Sequence, residues 1–161
     1  MKCDIGYTSL VVVFTITLVL GMAATAQAGD AACSIAQAAG TYGFTTSGTV
    51  AGVESRLSVG IFKADAAGNV TGKATSSTNG TITDETFSGT YTVNSDCTGT
   101  LIADIRDLSG KVLLTVTEDA VWDDNMREVR GIFTSAKLPD GTSLPTILNT
   151  QARKMVSSTQ Q

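Results

Sequence analysis

NVTGKATSSTNGTITDETFSGTYTV, residues 69–93, decides how the rest of this chain is read. Asn79-Gly80 stands at its centre, and both residues tolerate the positive φ of a type I′ hairpin turn. The flanks are rich in Thr, Val, Ser and aromatic residues, which is strand chemistry. They predict strands over 69–78 and 81–93. The second flank ends in Gly89-Thr90-Tyr91, a glycine two residues before a ring, and the spacing recurs at Gly40-Thr41-Tyr42, Gly60-Ile61-Phe62 and Gly131-Ile132-Phe133. Residues two apart in a strand share a face. Each unit therefore sets bare backbone beside a large ring, and a bare glycine lets a strand bend sharply or a ring lie across it.

Working outward, the same composition predicts strands over 40–50, 56–65, 97–106, 111–118, 119–123 and 127–136. Ala66-Ala67-Gly68-Asn69, Asn94-Ser95-Asp96, Ser109-Gly110 and Asp123-Asp124-Asn125 supply the turns between them. A spacing of about ten residues with short loops implies an antiparallel meander. Eight such strands suit a small closed barrel, which has no exposed edge; the alternative is a two-sheet β-sandwich. Ser34 to Ala39 is expected to form a single helical turn plugging the barrel bottom. The stretch after Ser143-Leu144-Pro145 reads equally as a short helix or as a last strand over 146–150, and Ser157–Gln161 as a disordered end. SGTYTV (88–93) echoes AGTYGF (39–44), and VGIFKA (59–64) echoes RGIFTS (130–135), a similarity that strand chemistry accounts for.

The first segment reads as an export signal. Lys2 precedes an uncharged apolar run, Leu10 to Leu20, and Ala26-Gln27-Ala28 has the small-x-small form of a cleavage site. The expected organisation is a signal peptide over 1–28, an N-terminal segment over 29–39, a β-barrel over 40–138 and a C-terminal segment over 139–161. Cys3 leaves with the leader, so Cys33 and Cys97 are expected to pair in an oxidising compartment, either periplasmic or extracellular. Lys2 and Asp4 leave together, and the mature chain keeps the net charge of −4. Mild acidity without a basic patch argues against nucleic acid and anionic membranes as partners. No outward aromatic girdle marks a membrane barrel.

Gly40-Thr41-Tyr42 resembles the glycine-x-aromatic opening of the lipocalin and avidin barrels, the calycins. FKADAAGNVTGKATSSTNG (62–80) and FSGTYTVNSDCTGTL (87–101) resemble a group of exported bacterial proteins of unknown function, whose barrels are similar to those of lipocalins and allene oxide cyclase. The resemblance covers roughly residues 39–135 and implies a calycin-type fold; the second and third lipocalin motifs are absent.

The chain contains no histidine. That removes Ser–His and Cys–His nucleophiles and His-bearing metal sites, and paired cysteines remove thiolate chemistry. No catalytic residue, metal site or cofactor is assigned. Asp123-Asp124-Asn125 reads as a plain acidic turn, with calcium ligation the alternative. Glu54, Glu85, Glu118 and Glu128 fall near the ends of the expected strands and offer no obvious buried acid; Asp104 lies opposite Leu101, Ala103 and Ile105. The rings are the candidate site. Tyr42, Phe44, Phe62, Phe87, Tyr91, Trp122 and Phe133 are expected to line an interior that either packs solid or holds a small, mostly apolar ligand, with Tyr42 or Tyr91 orienting its polar end. Three functions fit: a non-enzymatic carrier, a packed interaction module of the cell envelope, or, through the allene oxide cyclase resemblance, a cofactor-free isomerase or cyclase marked by an interior carboxylate.

Overall fold

The computed structural model describes residues 32–50 and 53–156. The expected signal peptide and the chain end from Ser157 lie outside the described residues. A one-turn helix, α1 (Ile35–Ala38), precedes eight strands: β1 (Gly40–Val50), β2 (Val53–Ala64), β3 (Asn69–Thr78), β4 (Thr81–Tyr91), β5 (Thr98–Arg106), β6 (Val112–Asp123), β7 (Glu128–Lys137) and β8 (Thr146–Lys154). Each pairs antiparallel with the next, and β8 pairs with β1, so the meander closes into a barrel and the sandwich alternative falls.

The register follows from the turns. Asn79 and Gly80 both have positive φ, 48° and 85°, and Thr78 faces Thr81 across the expected type I′ turn. Four other hairpins use one device, a turn whose fourth residue is left-handed: Gly68, Cys97, Gly110 and Gly141. In each, the N–H of that residue donates to the carbonyl three residues back, at 3.0–3.2 Å in the first three and 2.9 Å in the last. Glycine adopts this conformation without steric cost. Cys97 does not, and it is the one held by a disulfide, to Cys33.

Two expectations about the strands need correction. The segments 111–118 and 119–123 are a single strand, β6, because the alternation of inward residues runs unbroken through Val116, Glu118, Ala120 and Trp122. The eighth strand comes instead from the tail, where the strand alternative over 146–150 holds, the helix alternative falls, and the barrel extends past residue 138 to Lys154. A β-bulge opposite Thr117 and Glu118 shifts the β7 register, so both Phe133 and Ala136 turn inward.

One end of the barrel is closed. Ser34 caps α1 by accepting from the Gln37 N–H, and Ala38 is fully buried beneath the strands. The Tyr42 hydroxyl donates to the carbonyls of Ala38 at 2.7 Å and Met126 at 3.2 Å. The Tyr91 hydroxyl donates to the carbonyls of Asp65 at 2.7 Å and Ile35 at 3.3 Å. Lys154 donates to the Gln37 carbonyl and lies over the Tyr42 ring. Cys33–Cys97, 64 residues apart, ties this floor to the β4–β5 hairpin.

Closing a loop of that length stabilises a fold by ~4 kcal/mol in the chain-entropy account. Replacing Cys33 and Cys97 together by Ser is therefore expected to lower the stability measured by denaturant unfolding by up to that amount. Amide exchange is expected to rise first in α1 and the β4–β5 turn. A variant with unchanged stability and unchanged exchange would contradict the fastening role.

Candidate functional site

The seven rings divide into two layers. Tyr42, Tyr91 and Trp122 belong to the floor, where Tyr42 stacks on Phe62 with centroids 4.8 Å apart and Tyr91 tilts against Trp122 at 6.3 Å. The Tyr42 and Tyr91 hydroxyls donate their protons to floor carbonyls, so neither phenol has a proton left to donate to a ligand. Burial pushes the Tyr42 phenol up to about 12, and it stays protonated as a donor. Phe44, Phe62, Phe87 and Phe133 line a cavity above the floor. Phe44 tilts against Phe62 at 5.8 Å and meets Phe87 edge-on at 5.7 Å, favourable aromatic geometries.

Glycines make room for these rings, but the partner of each lies on the neighbouring strand. Phe44 crosses Gly60, and Phe87 crosses Gly72; a Cβ on either glycine would come within 2.7 Å of the ring. Trp122 crosses Gly99 in the same way. The other expected units differ. Gly40 lies under Lys154, Gly89 meets the β5 backbone, and Gly131 lies under the side chain of Glu118.

The cavity measures about 90 Å³ and reaches the end of the barrel opposite α1, where Val50, Arg56, Leu114 and Thr146 line it. A smaller space of about 40 Å³ lies against the floor, and the two share Phe62, Leu101, Glu118 and Thr150 as lining. Ala74, Ala103, Ala136 and Ser58 occupy inward positions where larger side chains would fill the space. Wider pockets of ~300–1,000 Å³ hold drug-sized molecules. An engineered apolar cavity of ~150 Å³ admits benzene. At about 90 Å³ this cavity is smaller than that, so a molecule of about one ring would fill it and reach into the open mouth or the space against the floor.

Three ionisable side chains face the cavity, and sequence reasoning missed all of them. Arg56 and Glu85 pair at 2.6 Å near the mouth, and the Arg56 guanidinium also donates to Ser76 and Thr78. The Ser76 hydroxyl lies 2.7 Å from the Glu85 carboxylate and 2.9 Å from Ser58. This network satisfies the buried charges against one another. Glu118 has no such cation. It is 6% exposed, and desolvation raises its carboxyl to about 7, offset in part by a hydrogen bond with Thr150. Thr150 lies 3.2 Å from Thr46, extending a hydroxyl pair across the β8–β1 seam. The signal was the period of two: Glu118 is in phase with Val116, Ala120 and Trp122, and Glu85 with Phe87 and Tyr91.

The acidic turn is hairpin chemistry. Asp124, Asn125 and Met126 have positive φ in succession, Asp123 pairs with Arg130, and Asp124 lies 3.6 Å from Arg153. Among the described residues, no three metal-ligating side chains converge.

Glu118 makes stability depend on pH with a defined sign. Below the ordinary glutamate range, folded and unfolded chains both hold the proton. As pH rises toward 7 the unfolded chain releases it and the folded chain does not, so stability falls, then levels above about 7. The rise from 4.5 to about 7 amounts to about 3 kcal/mol. Glu118→Gln is expected to abolish that fall and to be more stable than the parent at pH ~8 in urea unfolding. A parent protein with no loss of stability between pH ~5 and ~7 beyond that of the variant would contradict this placement of Glu118.

No protein-family model matches the chain, and no curated protein does. Among solved structures, EF1p2_mFAP2b bound to DFHBI is similar at 13% identity and a TM-score of 0.53, over 76% of this chain and all of that one. The redesigned β-barrel mFAP1, also bound to DFHBI, is similar at 17% identity and a TM-score of 0.46, over 75% of this chain and 98% of that one. At 13% identity the first likeness is one of fold alone, in keeping with the closed eight-stranded antiparallel barrel that the strand pairings show.

Proposed function

We propose that this is an exported, non-enzymatic binding protein that holds a small, mostly apolar molecule inside its barrel. The observation that carries the reading is the cavity bounded by Phe44, Phe62, Phe87 and Phe133, sealed at one end by α1, with Ala74, Ala103 and Ala136 adding little volume to its lining. A packed envelope module would have larger residues at Ala74, Ala103 and Ala136. The leader-like N-terminus and the Cys33–Cys97 pair support export to the periplasm or beyond. The calycin resemblance supports the same reading, since small barrels of this kind hold one ligand in the interior.

A second reading draws on one observation. Glu118 is the interior carboxylate that a cofactor-free isomerase or cyclase requires, and a carboxyl near pH 7 is suited to proton transfer. The two readings part on the fate of the molecule: a carrier releases it unchanged, and an isomerase returns an isomer of equal mass.

Native mass spectrometry on protein from its own host, followed by organic extraction, tests the binding reading. The expected result is a reproducible non-covalent mass that leaves on extraction and rebinds unchanged. Ala136→Leu, which sends an isobutyl group into the cavity, is expected to weaken rebinding at least ~10-fold without unfolding the barrel. A clean apo mass, with no rebinding of apolar probes by either protein, would overturn the reading.

A further inference from the structure

The lumen is not electrically balanced. Arg56 and Glu85 neutralise each other at the mouth, leaving Glu118 as the one inward-facing carboxylate, among the described residues, without a cationic partner. Its position is built. Gly131 gives it backbone to lie across, the β7 bulge stands opposite it, and Thr150 and Thr46 carry hydroxyls away from it. Glu118 lines both spaces of the lumen.

No other charge faces it from the elements that surround it. Inward residues of β5, β7 and β8 that line the lumen, such as Leu101, Phe133 and Thr150, carry no titratable group, and Lys154, in phase with Thr150 on β8, has its ammonium held at the floor by the Gln37 carbonyl, over the Tyr42 ring. Across the lumen stand the Arg56–Glu85 pair on β2 and β4, and the Tyr42 and Tyr91 phenols, whose protons are held by burial. A carboxylate buried without a counter-charge is costly, and the cost is relieved either by a proton or by a cation brought in beside it. The surrounding Phe44, Phe62 and Phe87 faces suit a cation attached to an apolar body, since ring faces attract positive charge.

We propose, resting on the binding reading above, that the ligand is a small organic monocation, an amine on an aromatic or aliphatic body of about one ring, whose nitrogen pairs with Glu118. The apolar body lies among the phenylalanines. Binding is linked to protons: the cation favours ionised Glu118, so affinity for an amine rises as pH rises through the range where the free carboxyl titrates. A neutral isostere has no such gain.

Isothermal titration with benzylamine, benzyl alcohol and toluene tests this on the parent protein and on Glu118→Gln, at pH ~5.5 and pH ~8.5, where the benzylamine nitrogen remains largely protonated. The expected result is benzylamine binding at least ~10-fold tighter than benzyl alcohol at the higher pH, with that advantage shrinking at the lower one. In Glu118→Gln the advantage disappears while toluene still binds. The parent protein alone decides the matter through the pH dependence, should the variant not fold. Equal binding of all three probes at both pH values would overturn the cation proposal and leave the binding reading standing. Binding of none would overturn both.

Discussion

An eight-stranded barrel is just wide enough for its own side chains to fill. Here the filling is diverted, because large inward side chains lie flat across glycines of the neighbouring strand rather than projecting toward the axis. Phe44 lies on Gly60, Phe87 on Gly72, Trp122 on Gly99 and Glu118 on Gly131. Each pair consumes wall thickness instead of lumen. With Ala74, Ala103 and Ala136 adding little volume, a space survives in the middle. The same contact explains how a carboxyl came to lie inside: a Cβ at position 131 would occupy the place of the Glu118 side chain.

The two ends of the barrel are built for different tasks. The floor is over-determined by two tyrosine hydroxyls, a capped helical turn, a disulfide and the Lys154 ammonium, all converging on α1. The other end holds a polar lattice of Arg56, Glu85, Ser76 and Ser58 that is satisfied within itself. Between them, Glu118 is desolvated without a cation. The lumen thus runs from a self-neutralised charge pair at the mouth, past a single acid without a cationic partner, to a floor whose polar groups are bonded to one another. Strain is placed at the floor too, where Cys97 holds a left-handed conformation that three sister turns give to glycine.

The chain announced its fold through punctuation. Asn79-Gly80 and the recurrent turn residues set the strand spacing, and glycine beside aromatic residues marked tight curvature. What stayed hidden were pairings across strands. Gly60-Ile61-Phe62 reads as a unit along the chain, yet the ring over Gly60 is Phe44, its cross-strand partner, and that pairing is invisible until β1 meets β2. Dividing β6 at Glu118 concealed that this residue shares the inward phase of Val116 and Trp122. On β2 the pattern inverts: Leu57, Val59 and Ile61 face out, while Arg56 and Ser58 face in. No hydrophobicity rule places an arginine inside; only Glu85 opposite it, on a strand two away, makes that arrangement stable. The aromatic residues were legible as a class, but their division into floor and cavity depended on carbonyls of α1 and the β6–β7 turn that tertiary structure alone supplies.

Inside this hollow barrel a carboxyl is buried without a cationic partner. Carbon-13 NMR of the glutamate side-chain carboxyls, followed across pH on the ligand-free protein and assigned through Glu118→Gln, reads that state directly. One resonance is expected to titrate near 7, well above the ordinary 4.5, and to be missing in the variant. A Glu118 carboxyl titrating in the ordinary range would mean that water or a counter-charge reaches it, and the hollow, uncompensated lumen would not stand.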